Sequence, residues 1–364
     1  MIARKKKIDI PKNRDMFWFY IFPILISLVG LLFVFEASSI RSFTVFQDSF
    51  HYFKLQIMWI ALGVAVMTFF SLFDYHKLYY LAFVFMASTI VLLLIVLIPT
   101  IGATGGGARS WLDFGVANFQ PTELAKFSVI IYLSSWFVHR ERKRFFSFLI
   151  LLGALMLLII LQPDMGTAIM VFLLSIIIYY LAGNDLHYLL LLLPAAAVSF
   201  FLLIKTSPYR FRRILAFFDP SLDPQGITYH VSQILISLQS GGWFGRGFGS
   251  SRQKYLFLPE AHTDSIFAIV GEEIGFIGAS LVLFMFFILI YKIYQGVQRA
   301  PDRYGRLLAG GIFAYFAIQI IVNLGGMVNV MPLTGVPLPF FSYGGSNMLV
   351  SFALMGILIN IAKR

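Results

Sequence analysis

An all-α polytopic membrane protein with about ten transmembrane helices is what this 364-residue chain predicts, and three observations carry that prediction. Apolar residues make up 59% of the chain and charged residues only 12%, about half the ~25% of a soluble domain. So few charges do not cover a water-facing surface. Apolar runs near the ~20 residues that a helix needs to cross a bilayer recur from one end to the other. Lys and Arg in the short connections between them alternate as a threaded topology demands.

The expected spans lie near 17–36, 54–73, 78–98, 122–138, 145–161, 165–182, 187–205, 264–294, 307–331 and 343–362. No polar linker or low-complexity tract divides them, and no internal repeat is evident, so residues 1–364 read as a single transmembrane domain. Residues 1–16 form a basic tail that runs into a full-length apolar span without a small-residue cleavage site, which reads as a retained first helix. That tail holds Arg4, Lys5, Lys6, Lys7, Lys12 and Arg14. With ten spans, the same side receives Lys77, Arg140, Arg142, Lys143, Arg144, Lys292, Arg299, Arg303, Arg306, Lys363 and Arg364. The opposite short loops carry little beyond Arg41, Lys54 and Arg109. Both termini are therefore expected in the cytoplasm. Residues 206–262 form a large extracytoplasmic loop, and long loops are partly exempt from the bias. Within it Ile227, Val231, Ile234, Leu235 and Leu238 recur at helical spacing, predicting an amphipathic helix on the outer membrane surface. The net charge of +11 is spread along these loops, so it speaks for a membrane and not for nucleic acid. Cysteine is absent, which excludes disulfides, thiolate metal sites and a thiol nucleophile.

Ionisable residues within or at the edge of spans are costly and so are functional candidates. They cluster in the outer half. Gly105-Gly106-Gly107-Ala108-Arg109-Ser110-Trp111 precedes Pro121, which favours a helix start, and Glu123 and Lys126 are i, i+3 neighbours on that helix. They read either as a self-neutralising ion pair or as a site where Lys126 meets an anionic substrate. Asp164 opens the helix after Gln162-Pro163, where a carboxylate caps free backbone N–H groups. Glu260, His262 and Asp264 crowd the mouth of the eighth span, with Glu272 and Glu273 further in. Thr263 or Asp264 is a cap on one reading; Asp264 is a reactive carboxylate on the other. No His pair has metal-ligand spacing. Pro332–Ser346, with three prolines and a Gly pair, is no regular helix. It is an ordinary outer loop or a re-entrant cavity wall, the latter only if wet or protein-lined.

Together these segments resemble the SEDS family, the FtsW, RodA and SpoVE proteins of bacterial cell-wall synthesis, from the first span to the last. The most specific stretches are GGWFGRGFGSSRQKYLFLPEAHTD and GEEIGFIG within Gly226–Gly278, and PLTGVPLPFFSYGGS at Pro332–Ser346. GSSRQKYLFLPE looks closer to the division and sporulation branch than to RodA. The chain departs from the family's pattern at Ser110, commonly a basic residue, at His230, commonly Gln, and at Ser265, commonly Phe.

The resemblance implies a peptidoglycan glycosyltransferase that polymerises lipid II at the outer face of the bacterial cytoplasmic membrane, for division or shape, working with a class B penicillin-binding protein and other division or elongation proteins. The family's catalytic Asp maps onto Asp264, and its other functional positions onto Arg109, Trp111, Glu123, Lys126, Asp164, Gly344 and Gly345. Arg210, Arg213, Lys254, His262 and Glu272 join them as candidate substrate-binding residues. Arg210, Arg212 and Arg213 are expected to hold anionic lipid or the diphosphate of the undecaprenyl-linked substrate. The chemistry suits such residues. A sugar hydroxyl attacking an anomeric carbon needs one carboxylate base, and its transition state is oxocarbenium-like. The lipid diphosphate leaving group needs Arg or Lys donors, or a divalent cation such as Mg²⁺ or Mn²⁺. Two other functions compete. A lipid II flippase needs charge along the whole transit path, whereas here it concentrates in the outer half. A non-catalytic scaffold for the penicillin-binding protein leaves the intramembrane charges unexplained.

Overall fold

The computed structural model describes residues 12–105, 108–113, 115, 118–139, 144–185 and 228–364, with scattered positions between 187 and 226. Its helices are α1 (Lys12–Phe46), α2 (His51–Leu72), α3 (His76–Val96), α4 (Pro121–Phe137), α5 (Phe145–Leu161), α6 (Met165–Leu181), α7 (Tyr229–Gly241), α8 (Ile266–Arg299), α9 (Arg303–Met327) and α10 (Gly345–Lys363). Six of them, α1 to α3 and α8 to α10, are long and apolar enough to cross a membrane. Helices α5 and α6 are shorter and equally apolar, and α4 is buried along nearly its whole length. The expected seventh span, 187–205, falls largely outside the described residues.

Polar contacts sort the helix ends into two groups. At one end, Asp302 between α8 and α9 accepts from Tyr75, lies 3.1 Å from His76 and caps α9 at Gly305, while Arg364 pairs with Asp74 at 3.0 Å. Arg303 donates to the carbonyl of Ala182 there, just past α6. Burial opposes charge on Asp74 and Asp302, but their hydrogen bonds and cationic neighbours prevail and hold both below the usual carboxylate range. At the other end the starts of α4, α6 and α10 meet: Gln120 and Thr122 donate to Asp164, and the Gln120 N–H donates to Ser346. So α6 finishes at the end opposite to the start of α8, as ten spans require.

Helix α10 is the hub, packing on α2 and touching α1, α4, α8 and α9. Glycine makes the closest approach possible, because a Cβ on Gly63 or Gly356 would lie 2.2 Å from Phe352 or 2.4 Å from the Met67 carbonyl. Small residues do this where lipid gives helices no hydrophobic drive to associate. On the outside of the bundle, Tyr80 and Phe83 of α3 are 80% and 71% exposed, the pattern of a lipid-facing surface.

Three features differ from the sequence expectation. Between α3 and α4 the chain forms a small antiparallel sheet, β1 (Gly102–Gly105), β2 (Ala108–Asp113) and β3 (Asn118–Phe119), with Leu112 opposite both Gly102 and Phe119. Strand pairing satisfies backbone groups that a glycine-rich connection leaves open. Second, α8 is broken at Gly275 (φ +66°, ψ −168°). The freed groups are taken up by the 242–247 segment. Arg246 and Gly247 donate to the Glu272 and Glu273 carbonyls, and Phe276 and Ile277 donate to Gly242 and Trp243. This close approach needs Gly245 (φ +81°), whose Cβ would lie 2.2 Å from the Glu273 carbonyl oxygen. That accounts physically for the paired glycine-rich stretches in the sequence. Third, the amphipathic helix exists as α7, but its apolar face is not simply laid on lipid. It buries Val231 and Ile234 and packs on α8, where a Cβ on Gly241 would lie 1.9 Å from the Gly271 carbonyl oxygen. Leu238 and Leu235 remain partly exposed, and Ile227 lies outside the described residues.

Candidate functional site

The site grows from the turn that feeds α8. Glu260 adopts a left-handed conformation (φ +47°), and its carbonyl accepts from the Thr263 and Ser265 N–H groups and from the Thr263 hydroxyl. That turn sets Asp264 at the mouth of the helix. The N-cap position is Ser265, and no side chain caps there, so neither Thr263 nor Asp264 plays the capping role. Asn323 fixes the backbone of Asp264 by donating both to its carbonyl (2.8 Å) and to that of Val336 (2.7 Å). Gly335 passes against the carboxylate, where a Cβ would make ordinary contact 3.6 Å from Oδ2, and its φ of +74° is what calls for glycine there.

The Pro332–Ser346 segment is therefore a protein-lined wall, with Val336 and Leu338–Ser342 buried. Several of its backbone groups are met by neighbouring side chains and backbone. Gln319 donates to Pro337 (2.8 Å), Gln56 donates to Ser342 (3.2 Å), and the Tyr343 N–H donates to His262 (2.9 Å). Tyr315, Gln319 and Asn323 recur every four residues, so they form one polar stripe on α9 facing this wall. Sequence reasoning passed over them. Their signal was there: polar side chains at helical spacing within an apolar span.

The other candidates are mostly committed to partners. Lys126 and Glu123 pair at 2.6 Å with side chains 1% and 3% exposed, and the ammonium lies 5.6 Å from the Tyr315 ring centre. The self-neutralising pair is the arrangement present. Asp164 caps α6 through the Thr167 N–H (3.0 Å) and hydroxyl (2.8 Å). Glu272 accepts from the Ser251 hydroxyl (2.6 Å) and from the Arg252 and Gln253 N–H groups, and so clamps the 246–254 loop. Lys254 is filled by Glu36 (2.8 Å), the Gly249 carbonyl (2.6 Å) and Glu273 (3.8 Å). These contacts give Glu272 and Lys254 a structural employment that sequence spacing did not reveal. Gly345 admits Trp59, whose ring would lie 2.3 Å from a Cβ at that position, with Gly344 just before it. Arg109 and Trp111 stand half-buried on β2, at the same end of the bundle as Asp164. Arg210, Arg212 and Arg213 lie outside the described residues.

Asp264 is buried at the mouth of α8. Burial raises its carboxyl above the usual range, His230 opposes that rise, and Glu260 adds to it. Among the described residues, its carboxylate takes one side-chain hydrogen bond, from Thr263 at 3.2 Å. Of its basic neighbours in sequence, Lys254 holds other partners and Arg252 is exposed. His262 is buried between Tyr52 and Tyr343, at ring-centre distances of 4.7 and 5.5 Å, and burial holds it below the usual imidazole range. Arg41, read in the sequence only as a loop charge, lies in α1 and pairs with Glu260 at 3.5 Å, both side chains being partly exposed. Arg41, Lys254 and His262 line a cleft beside this turn. Among the described residues no group of three or more His, Asp or Glu is placed to hold a metal ion.

A transmembrane helical bundle with a carboxylate turn and a proline-rich wall at one end defines the class. The chain belongs to the family of cell cycle proteins that comprises FtsW, RodA and SpoVE, whose model matches residues 16–364. It is 35% identical over 349 residues to stage V sporulation protein E of Bacillus subtilis (strain 168), spanning 94% of this chain and 95% of that one. It is likewise 35% identical over 347 residues to a probable peptidoglycan glycosyltransferase FtsW of Geobacter sp. (strain M18), with the same coverage of each. Its fold matches a chain solved in a study of polymerization and crosslinking by a peptidoglycan synthase complex. That match has a TM-score of 0.78 and 25% identity, and covers 95% of this chain and 97% of the other.

Proposed function

We propose that this chain is a peptidoglycan glycosyltransferase that polymerises lipid II at the outer face of the cytoplasmic membrane, with Asp264 as general base. One observation carries the reading. Asp264 is buried at the outer end of the bundle without a cap or ion-pair partner among the described residues, whereas Asp164, Glu123, Glu272 and Glu273 are each engaged by neighbours. In the reaction, Asp264 takes the proton from the acceptor sugar's 4-hydroxyl. The new bond forms from that oxygen to the donor's anomeric carbon as the bond to the diphosphate breaks. The lipid diphosphate departs with its electron pair, so one displacement inverts the centre and no covalent enzyme intermediate is needed. A carboxyl raised by burial accepts a proton more readily near neutral pH, which suits a general base. Arg41, Arg109 and the 210–213 arginines are the cations offered to the departing charge. His262, Trp111 and the Gly344-Gly345 wall bound the sugar path; Glu123, Lys126, Asp164, Lys254 and Glu272 hold the helices and loops that frame it.

A class B penicillin-binding protein is the proposed partner for crosslinking, and the division septum the proposed place of work. The test of the reaction is polymer formation from labelled lipid II by the purified chain, alone and with such a partner. Topology has its own test. With both termini cytoplasmic, Ser147 before α5's first turn ends faces inward and Ser250 faces outward; both are exposed. The native chain has no cysteine, so Ser147→Cys and Ser250→Cys report cleanly. An impermeant thiol reagent on intact cells is expected to label the Ser250 site and spare the Ser147 site; the reverse pattern means the orientation is inverted.

A further inference from the structure

Helix α7 places a second titratable group beside the proposed base. His230 lies in its first turn, and Nε2 is 2.8 Å from the Ser265 hydroxyl. Ser265 directly follows Asp264, is fully buried and occupies the N-cap position of α8. Serine there ordinarily turns its oxygen onto the helix's own N–H groups. Here it makes no such bond and meets the imidazole instead.

We propose that His230, held by Ser265, is a positioning residue whose imidazolium steadies the Asp264 carboxylate as the base, an inference that rests on Asp264 having that role. A serine hydroxyl both donates and accepts, so the pair survives either state of the ring: Nε2–H donates to Ser265, or a bare Nε2 accepts from it. The charge can therefore change without loss of geometry. An imidazole carries its proton through the acidic range in which a carboxylate titrates. Among the described residues, the other charged or titratable groups around Asp264 do not supply this. Glu260 of the same turn is an anion, partly offset by Arg41 of α1. His262 is buried and held toward its neutral form. Glu272 and Glu273 of α8 are bound to the 246–254 loop. From α9, Asn323 meets the Asp264 backbone carbonyl with a neutral amide. Of the influences on Asp264, burial raises its carboxyl most, and His230 is the foremost one pulling it down.

The test is the pH–rate profile of lipid II polymerisation for the wild type, His230→Gln and His230→Ala. Gln keeps a hydrogen bond to Ser265 but carries no charge, so it separates electrostatics from structure. Removing the charge is expected to move the acid limb of kcat upward by about one pH unit, with loss of rate at low pH recovered on the alkaline side, in both variants. A wild-type limb in His230→Gln overturns the inference, whether His230→Ala is slowed, unfolded or unaffected. If Asp264→Asn polymerises normally, the general-base reading has failed; if Asp264→Asn is inert and the His230→Gln limb stays put, this inference alone has failed.

Discussion

Replacing Asp264 by Asn is expected to lower lipid II polymerisation by about 10²–10⁴-fold, the range general-base catalysis supplies, while the protein still inserts and folds. Asn is nearly isosteric, and the groups that hold this residue act on its backbone: Asn323 on its carbonyl and the Glu260 turn on its chain direction. The one side-chain bond at stake, from Thr263, is made as well by an Asn oxygen. No cap is lost, because α8 takes no cap from this side chain. A stability change therefore stays small, and the loss falls on kcat. The wild-type rate itself should fall as pH drops through the raised carboxyl of Asp264, since only the ionised form accepts the proton. Asn-substituted protein polymerising near the wild-type rate removes Asp264 from the chemistry, and Glu123 and Glu272 are then the carboxylates to examine.

The second large effect is structural. Glu123→Gln leaves the Lys126 ammonium buried, with 1% of its side chain exposed and its 2.6 Å partner gone. Breaking a buried pair in this way costs on the order of 3–5 kcal/mol, whereas replacing both members by apolar residues of similar volume is often neutral. Glu123→Gln and Lys126→Met should each lower the unfolding temperature and membrane yield, and the double variant carrying Glu123→Leu with Lys126→Met should recover most of that loss. Thermal unfolding in detergent reads the stability, and the polymerisation assay separates the roles. A recovered and active double variant assigns the pair to the frame of α4. A double variant that is stable but inert assigns Lys126 or Glu123 to substrate.

The span ends were legible because charge in membrane loops is costly to misplace, so the positions of Lys77, Arg299, Arg303 and Arg364 along the chain suffice to mark one end of the bundle. Asp164 was legible as a cap because the local signal, a carboxylate opening an apolar run, is also the local structure. Asp264 carries the same local signal and does something else. Its turn is governed by the left-handed Glu260 and by Asn323, which lies 59 residues away in sequence. The break at Gly275 was hidden for a related reason. Apolar periodicity continues across it, and the loop that satisfies the freed backbone groups comes from 242–247. The commitments of Lys254 and Glu272 were equally out of reach, because Glu36 and Ser251 approach through tertiary packing alone. The Tyr315, Gln319 and Asn323 stripe was readable at four-residue spacing and was passed over because these side chains carry no charge.

The most direct test of the whole account is a reconstitution that scores two products at once. Purified chain in liposomes, with and without a class B penicillin-binding protein, is given fluorescent lipid II, and both glycan polymer and lipid translocation are measured. The expected result is polymer that disappears with Asp264→Asn, and no translocation dependent on the chain. Translocation without polymer from well-folded protein, with the partner present, contradicts it and makes the chain a flippase instead.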